Sequence, residues 1–168
     1  MIKLTQKEYP SAYNIYKDQQ FFFPLIAAVL LDEQDGYVYA DSPSKPSQIY
    51  VEHHFGFSQL FGPPNQDFLL ELERYLFIDK QFHSEKVRLY SPTTPNFLLE
   101  TRVKCARSQR QRFNLNQDSF LNNKKLIADN ESHNIKLHDV GENESLLVEN
   151  TFNVVNRFWR HPDDFIAK

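Results

Sequence analysis

Apolar residues recur at helical spacing through the first part of the chain and then switch to the period of a strand. Tyr9, Ala12, Tyr13 and Tyr16 line one helical face. Thr5 and Glu8 just before them have the Thr-x-x-Glu spacing of a capping box, which predicts a helix starting near residue 6. Pro10 falls in the first turn, where its missing N–H goes unnoticed. Phe21 to Leu31 is a continuous apolar run containing Pro24. Pro24 opens a second helix over 25–31, ended by the polar Asp32-Glu33-Gln34-Asp35-Gly36. A buried strand fits the same run, because a short apolar stretch does not separate the two.

From Tyr37 the pattern shortens. Residues 37–40, 47–53 and 55–61 read as three strands, with Asp41-Ser42-Pro43-Ser44-Lys45-Pro46 as a turn and Gly36 and Gly62 punctuating the block. Short strands joined by short turns predict an antiparallel meander. After Pro63-Pro64, Phe68, Leu69, Leu72, Tyr75, Leu76 and Phe77 are apolar at helical spacing, with Glu71, Glu73 and Arg74 outward. The remaining pattern predicts a strand over 85–90, a helix over 95–106, a strand over 109–115 and a helix over 119–127. A strand over 135–140 and a helix over 143–159 follow, the latter with Leu146, Leu147, Phe152, Val155 and Phe158 inward. The expected fold class is mixed α/β or α+β, a single domain over 1–168, with 142–168 as a C-terminal helix or linker segment. Roughly five to seven strands would form a central, largely antiparallel twisted sheet flanked by helices.

Composition removes several functions. The chain has 168 residues, 14% of them aromatic, enough for a real core. It holds 4 glycines, where average usage would give roughly 12. Gly36, Gly56, Gly62 and Gly141 are too dispersed to build a glycine-rich phosphate loop. The net charge of -3 gives no general basic field for nucleic acid. Cys105 is the only cysteine, so neither an intramolecular disulfide nor a multi-cysteine metal site is available. The N-terminus lacks the apolar core of a signal peptide, and the run 21–31 is shorter than the about 20 residues that span a bilayer. A soluble, cytoplasmic protein with no membrane partner is the expectation.

Few side chains carry a chemical signal. Glu52-His53-His54 is the densest group of potential ligands. On a strand Glu52 and His54 would share one face and His53 the other, and a zinc site needs three or four converging ligands. His83, His133, His138 and His161 lie in other elements without ligand spacing, so surface or strand-end histidines are expected and no metal. Cys105 stands near Lys104 and Arg107, which would lower a thiol pKa, but a buried cysteine acting as a small hydrophobe is the simpler reading. Arg102, Lys104, Arg107, Arg110 and Arg112 place five cations in eleven residues. Arg107, Arg110 and Arg112 are the candidate anion-binding group, because guanidinium forks take phosphates and carboxylates in bidentate fashion. A solvated helix C-terminus and strand face accounts for the same charges. No Gly-x-Ser-x-Gly elbow is present.

A larger pattern lies in Pro24-Leu25-Ile26-Ala27-Ala28-Val29-Leu30, Asp35-Gly36-Tyr37-Val38-Tyr39-Ala40-Asp41, Pro46-Ser47-Gln48-Ile49-Tyr50 and Phe57-Ser58-Gln59-Leu60-Phe61-Gly62. It resembles the N-terminal half of a subgroup of GNAT-family acetyltransferases. There a helix leads into a strand ending in Asp, then a Pro-containing turn and two further strands, the last ending in Gly. Phe158-Trp159-Arg160 with Asp163-Asp164-Phe165-Ile166 is similar to the linker helix of that subgroup, which leads into the half that binds acetyl-CoA. The resemblance implies that this chain is the non-catalytic half and stops where the catalytic half would begin. A GNAT domain cradles the CoA pyrophosphate in a Gln/Arg-x-x-Gly-x-Gly/Ala loop. The nearest stretch here, Gln59-Leu60-Phe61-Gly62-Pro63-Pro64, puts two prolines where N–H donors are needed.

The leading expectation is therefore a non-catalytic GNAT-like module that binds or scaffolds a protein partner or a second, catalytic domain, or forms a homodimer, with no cofactor. Trp159, with Phe158 beside it, is the leading candidate contact, since aromatic residues anchor interfaces. Two alternatives stand beside it. One is an active N-acyltransferase that takes acetyl-CoA at an atypical donor site. The other is a small inhibitor or immunity-type protein.

Overall fold

The computed structural model of the chain describes residues 1–99, 105–109 and 115–128. The expected strand at 135–140, the expected helix at 143–159 and the candidate residues Arg110, Arg112, Phe158 and Trp159 lie outside them.

The capping box forms as its spacing requires. The Glu8 carboxylate accepts the Thr5 backbone N–H at 2.7 Å and the Thr5 hydroxyl at 2.8 Å. A single 3₁₀ turn, Gln6–Glu8, leads into α1, Tyr9–Tyr16, with Pro10 in its first turn. The ambiguous apolar run is a helix, α2, Pro24–Leu30. A strand β1, Ile2–Lys3, precedes both helices. The meander follows as β2, Gly36–Ala40, β3, Ile49–His53, and β4, Phe57–Phe61. Next come α3, Gln66–Glu73, a π-helical turn, Arg74–Ile78, and β5, Arg88–Tyr90. Beyond a 3₁₀ turn at Asn96–Leu98 lies α4, Gln117–Ala128.

Among the described residues the sheet has five strands in the order β1-β2-β3-β4-β5. The first three pairings are antiparallel, with Val38 opposite Val51 and Tyr50 opposite Leu60. β4 and β5 are parallel, with Phe57 opposite Arg88 and Gln59 opposite Tyr90. A parallel pair needs a long crossover, and α3 with its π-turn supplies it. The architecture is thus mixed α/β with an open, mostly antiparallel sheet.

Alternation along the strands divides the core in two. Val38, Ala40, Ile49, Val51 and Phe61 face α1 and α2, where they meet Ala12, Tyr16, Ile26, Val29 and Leu30. Tyr39, Tyr50 and Leu60 face the other way, onto Phe68 and Leu72 of α3, Tyr75 and Leu76 of the π-turn, and Phe97. β3 is buried at all five positions because it is central and covered on both faces.

Two glycines are required by geometry. Gly56 turns β3 into β4 at φ +74°, and a side chain there would strike the Lys86 carbonyl. Gly62 ends β4 at φ +93°, against the Ser47 carbonyl.

Of the helix expected over 95–106, the described residues show a 3₁₀ turn at Asn96–Leu98, with Phe97 buried, Leu98 packed against the core and Leu99 exposed. Residues 105–109 are exposed and neither helix nor strand. Cys105 is accordingly exposed, contrary to the expectation of a buried thiol. The strand expected over 109–115 is absent at both of its described ends, Gln109 and Leu115.

The link between α1 and α2 is tied down by one phenol. Tyr16 is fully buried; its hydroxyl donates to Gln59 Oε1 at 2.6 Å and accepts the Phe23 N–H at 2.7 Å. Gln59 Nε2 in turn donates to the Phe21 carbonyl at 3.0 Å. Burial pushes the Tyr16 phenol up to about 12, so it stays a donor. Tyr16→Phe leaves a buried amide N–H and a carboxamide oxygen without this partner. The expected loss is about 2 kcal/mol of stability, measured from the urea midpoint; an unchanged midpoint would remove this bond from the account of the fold.

Candidate functional site

The chemically richest place in the described chain lies on the α3 face of the sheet. Strand alternation points Tyr37 and Tyr39 of β2 and Tyr50 and Glu52 of β3 to this face, next to Tyr75 of the π-turn. Glu52 is 1% exposed. A buried carboxylate is tolerated only where donors replace its water. Here Oε2 accepts the Tyr50 and Tyr75 hydroxyls, each at 3.1 Å, and Oε1 accepts the His83 backbone N–H at 2.8 Å. The Tyr39 hydroxyl lies 3.4 Å from that of Tyr75 and extends the chain.

The Tyr50 and Tyr75 phenols donate to the carboxylate, and Tyr75 accepts from Tyr39. Burial raises Tyr39, Tyr50 and Tyr75 above the usual phenol range, and the Glu52 charge adds to the rise. The π-turn matters because it carries Tyr75: one extra residue per turn re-aims side chains, and such turns concentrate at special sites.

His83 covers the cluster. Its Nδ1 is 3.7 Å from Glu52 Oε1, and its ring stacks on Tyr37 at 3.7 Å between centroids. The Lys3 ammonium sits 4.1 Å from the Tyr37 ring centre. Glu52 thus joins β3, the π-turn and the irregular segment that returns to β5. Its oxygens are engaged by protein donors, which makes it a clamp and leaves it poorly placed to take a substrate proton.

The other face of β3 holds His53, 2% exposed. Phe55 donates its N–H to Nδ1 at 3.1 Å, so the proton lies on Nε2, which bonds Gln34 Oε1 at 2.6 Å. Burial, with the neighbouring His54, lowers its pKa to about 4. His53 is therefore a neutral residue buried at the end of β3, a strand-end histidine as expected but not a surface one. His54 falls beyond the strand end and is exposed, so it does not share a strand face with Glu52. Among the described residues no group of three or more His, Cys, Asp or Glu is arranged to hold a metal ion. Of the basic group, Arg107 is exposed on an irregular segment.

The turn from β4 into α3 holds the stretch of the sequence nearest in form to a phosphate-cradling loop. Pro63 and Pro64 contribute no donor. The Asn65 N–H goes to Gln48 Oε1 at 2.7 Å, and Asn65 Oδ1 caps α3 by accepting the Phe68 N–H at 3.3 Å. Asn65 Nδ2 reaches Asp41 Oδ2 at 3.3 Å. Partial burial of Asp41 opposes its charge, but hydrogen bonds from Ser47, Gln48 and Asn65 outweigh it and hold the carboxyl below its usual range. With Asp67 in the first turn of α3, this helix end is already supplied with negative charge.

No helix among the described residues is long and apolar enough to cross a membrane. In comparisons with known proteins, no family model matches the chain and no curated protein matches it.

Two outcomes are expected. Glu52→Gln places an amide donor among donors and costs roughly 1–3 kcal/mol, read from urea midpoints, with faster hydrogen exchange of the His83 amide. A variant as stable as the parent with that amide still protected would rule out the clamp. For His53 the folded pKa of about 4 lies below the ordinary 6.5, so the unfolded chain binds the extra proton. Its contribution is complete above pH 6.5 and is lost as the pH falls through about 4. The stability gap between the parent and His53→Gln should shrink across that window; a gap independent of pH would exclude the linkage.

Proposed function

We propose that this chain is a non-catalytic, GNAT-like module that binds or scaffolds an acyltransferase or a related partner protein. The order of elements supports the reading. Helix α2 leads into β2, which runs out at Asp41, and a turn containing Pro43 and Pro46 follows. β3 and β4 come next, and β4 closes on Gly62 before α3 and the parallel strand β5.

The observation that carries the non-catalytic part is the β4–α3 turn. A pyrophosphate needs several free backbone N–H groups at a helix start, held away from acids. This turn offers two prolines, an Asn65 N–H already bonded to Gln48, a Phe68 N–H already capped, and the carboxylates of Asp41 and Asp67. The saturated Glu52 cluster agrees with it, since the most deeply buried acid on the same sheet face serves as a clamp.

Titration of the chain with acetyl-CoA in a calorimeter separates this reading from that of an active acyltransferase. No heat of binding is expected up to millimolar ligand. A micromolar dissociation constant would overturn the proposal and move the chain to the enzymes.

A further inference from the structure

Between the π-turn and β5 the chain runs from Asp79 to Val87 without helix or strand. Gln81 ties its start by donating its N–H to the Tyr75 carbonyl at 3.1 Å, and Arg88 ties its end by donating to the Gly56 carbonyl at 2.6 Å. Phe82 and Val87 pack half-buried against the core on the α3 face. Between those ties the His83 N–H donates to Glu52 Oε1 at 2.8 Å, which joins the middle of the connection to β3.

The His83 side chain approaches the same oxygen. Its Nδ1 lies 3.7 Å from Glu52 Oε1, too far for a hydrogen bond but close enough for charge to matter. A neutral imidazole carries a proton on one nitrogen only. The protonated ring carries one on each, so Nδ1 then faces the carboxylate as a charged donor. The His83 side chain is 38% exposed and that of Glu52 1%. Protons therefore reach the ring from solvent, while the charge it meets is shielded from solvent.

The groups around the pair come from four elements. Tyr50 of β3 and Tyr75 of the π-turn donate to the other carboxylate oxygen, Oε2, and leave Oε1 to His83. Tyr37 of β2 presents its ring face, 3.7 Å away between centroids and 20° from parallel, which also favours a cation. Lys3 of β1 opposes it, with its ammonium 4.1 Å from the centre of the same ring, but Lys3 is exposed and its charge is screened. Within the connection Asp79 is paired with Arg74, and Lys80, Glu85 and Lys86 are exposed.

We infer that His83 is a pH-sensitive latch: protonated, it pairs with Glu52 and fastens the 79–87 connection, and with it β5, onto the sheet. Neutral, it leaves the connection to its backbone bond and its stack on Tyr37. Histidine is the side chain whose ordinary chemistry changes charge between about pH 5 and 8. The contribution of the latch is present at the acid end of that range and is lost as the pH rises. Its sign is opposite to that of His53, whose contribution is lost in acid. The inference is independent of whether the chain binds acetyl-CoA.

The test is amide hydrogen exchange of the ¹⁵N-labelled chain, followed by NMR at about pH 5 and about pH 8, with each rate divided by that of an unstructured peptide at the same pH. Protection of the His83 amide is expected to be roughly fivefold greater at the acid end, while that of the Val51 amide in β3 does not rise. His83→Phe keeps a ring on Tyr37 without the charge, and His83→Gln keeps neither. In both, the amide at 83 should be equally protected at the two pH values. The ring is exposed, so both variants should fold; if one does not, the other carries the comparison. Protection in the parent that does not rise in acid, a rise matched by Val51, or an equal rise in either variant would each overturn the latch.

Discussion

A carboxylate buried at the middle of a sheet must be answered by donors, and in this protein the answer comes from three separate pieces of chain. Glu52 is reached by Tyr50 from its own strand, by Tyr75 from the π-turn and by the His83 N–H from the segment returning to β5. Each of these is far from the others in sequence or in element. An unanswered carboxylate at 1% exposure would be strongly unfavourable, so the crossover that makes β5 parallel to β4 is held in register by it. The π-turn is best understood in this light: it brings the Tyr75 hydroxyl to 3.1 Å from the carboxylate.

The opposite face is built on a parallel plan with neutral groups. Tyr16 and Gln59 fix the α1–α2 link, and His53 with Gln34 fixes the α2–β2 turn. Both faces therefore use a polar group inside an apolar layer to choose one arrangement of connecting chain among several of similar apolar burial. Partnered polar groups of this kind specify geometry more than they add stability.

The helix and strand pattern was largely legible. The capping box, Pro24 at a helix start, the three-strand meander, the amphipathic helix after Pro63-Pro64 and the helix near 119–127 each rest on local rules of period and punctuation, and each stands in the described fold. At 95–99 and 105–106 the described residues form a 3₁₀ turn and an exposed irregular stretch, because helical spacing does not say whether a face will be covered. The candidate site was hardly legible. Glu52, His53 and His54 were visible as a ligand-like group, but their roles depend on Gln34, Tyr75 and His83, which stand 19, 23 and 31 residues away from their partners.

What the sequence determined by itself was local: where helices begin and end, which residues share a face, and that Pro63 and Pro64 give the β4–α3 turn no N–H of their own. What only the tertiary structure decided was the protonation and engagement of its polar groups. Whether a glutamate is a solvated strand residue or a saturated clamp, and whether a histidine is a ligand or a neutral core group, follows from burial and from the donors facing it. Those are fixed by contacts between distant elements, and the spacing along the chain does not encode them.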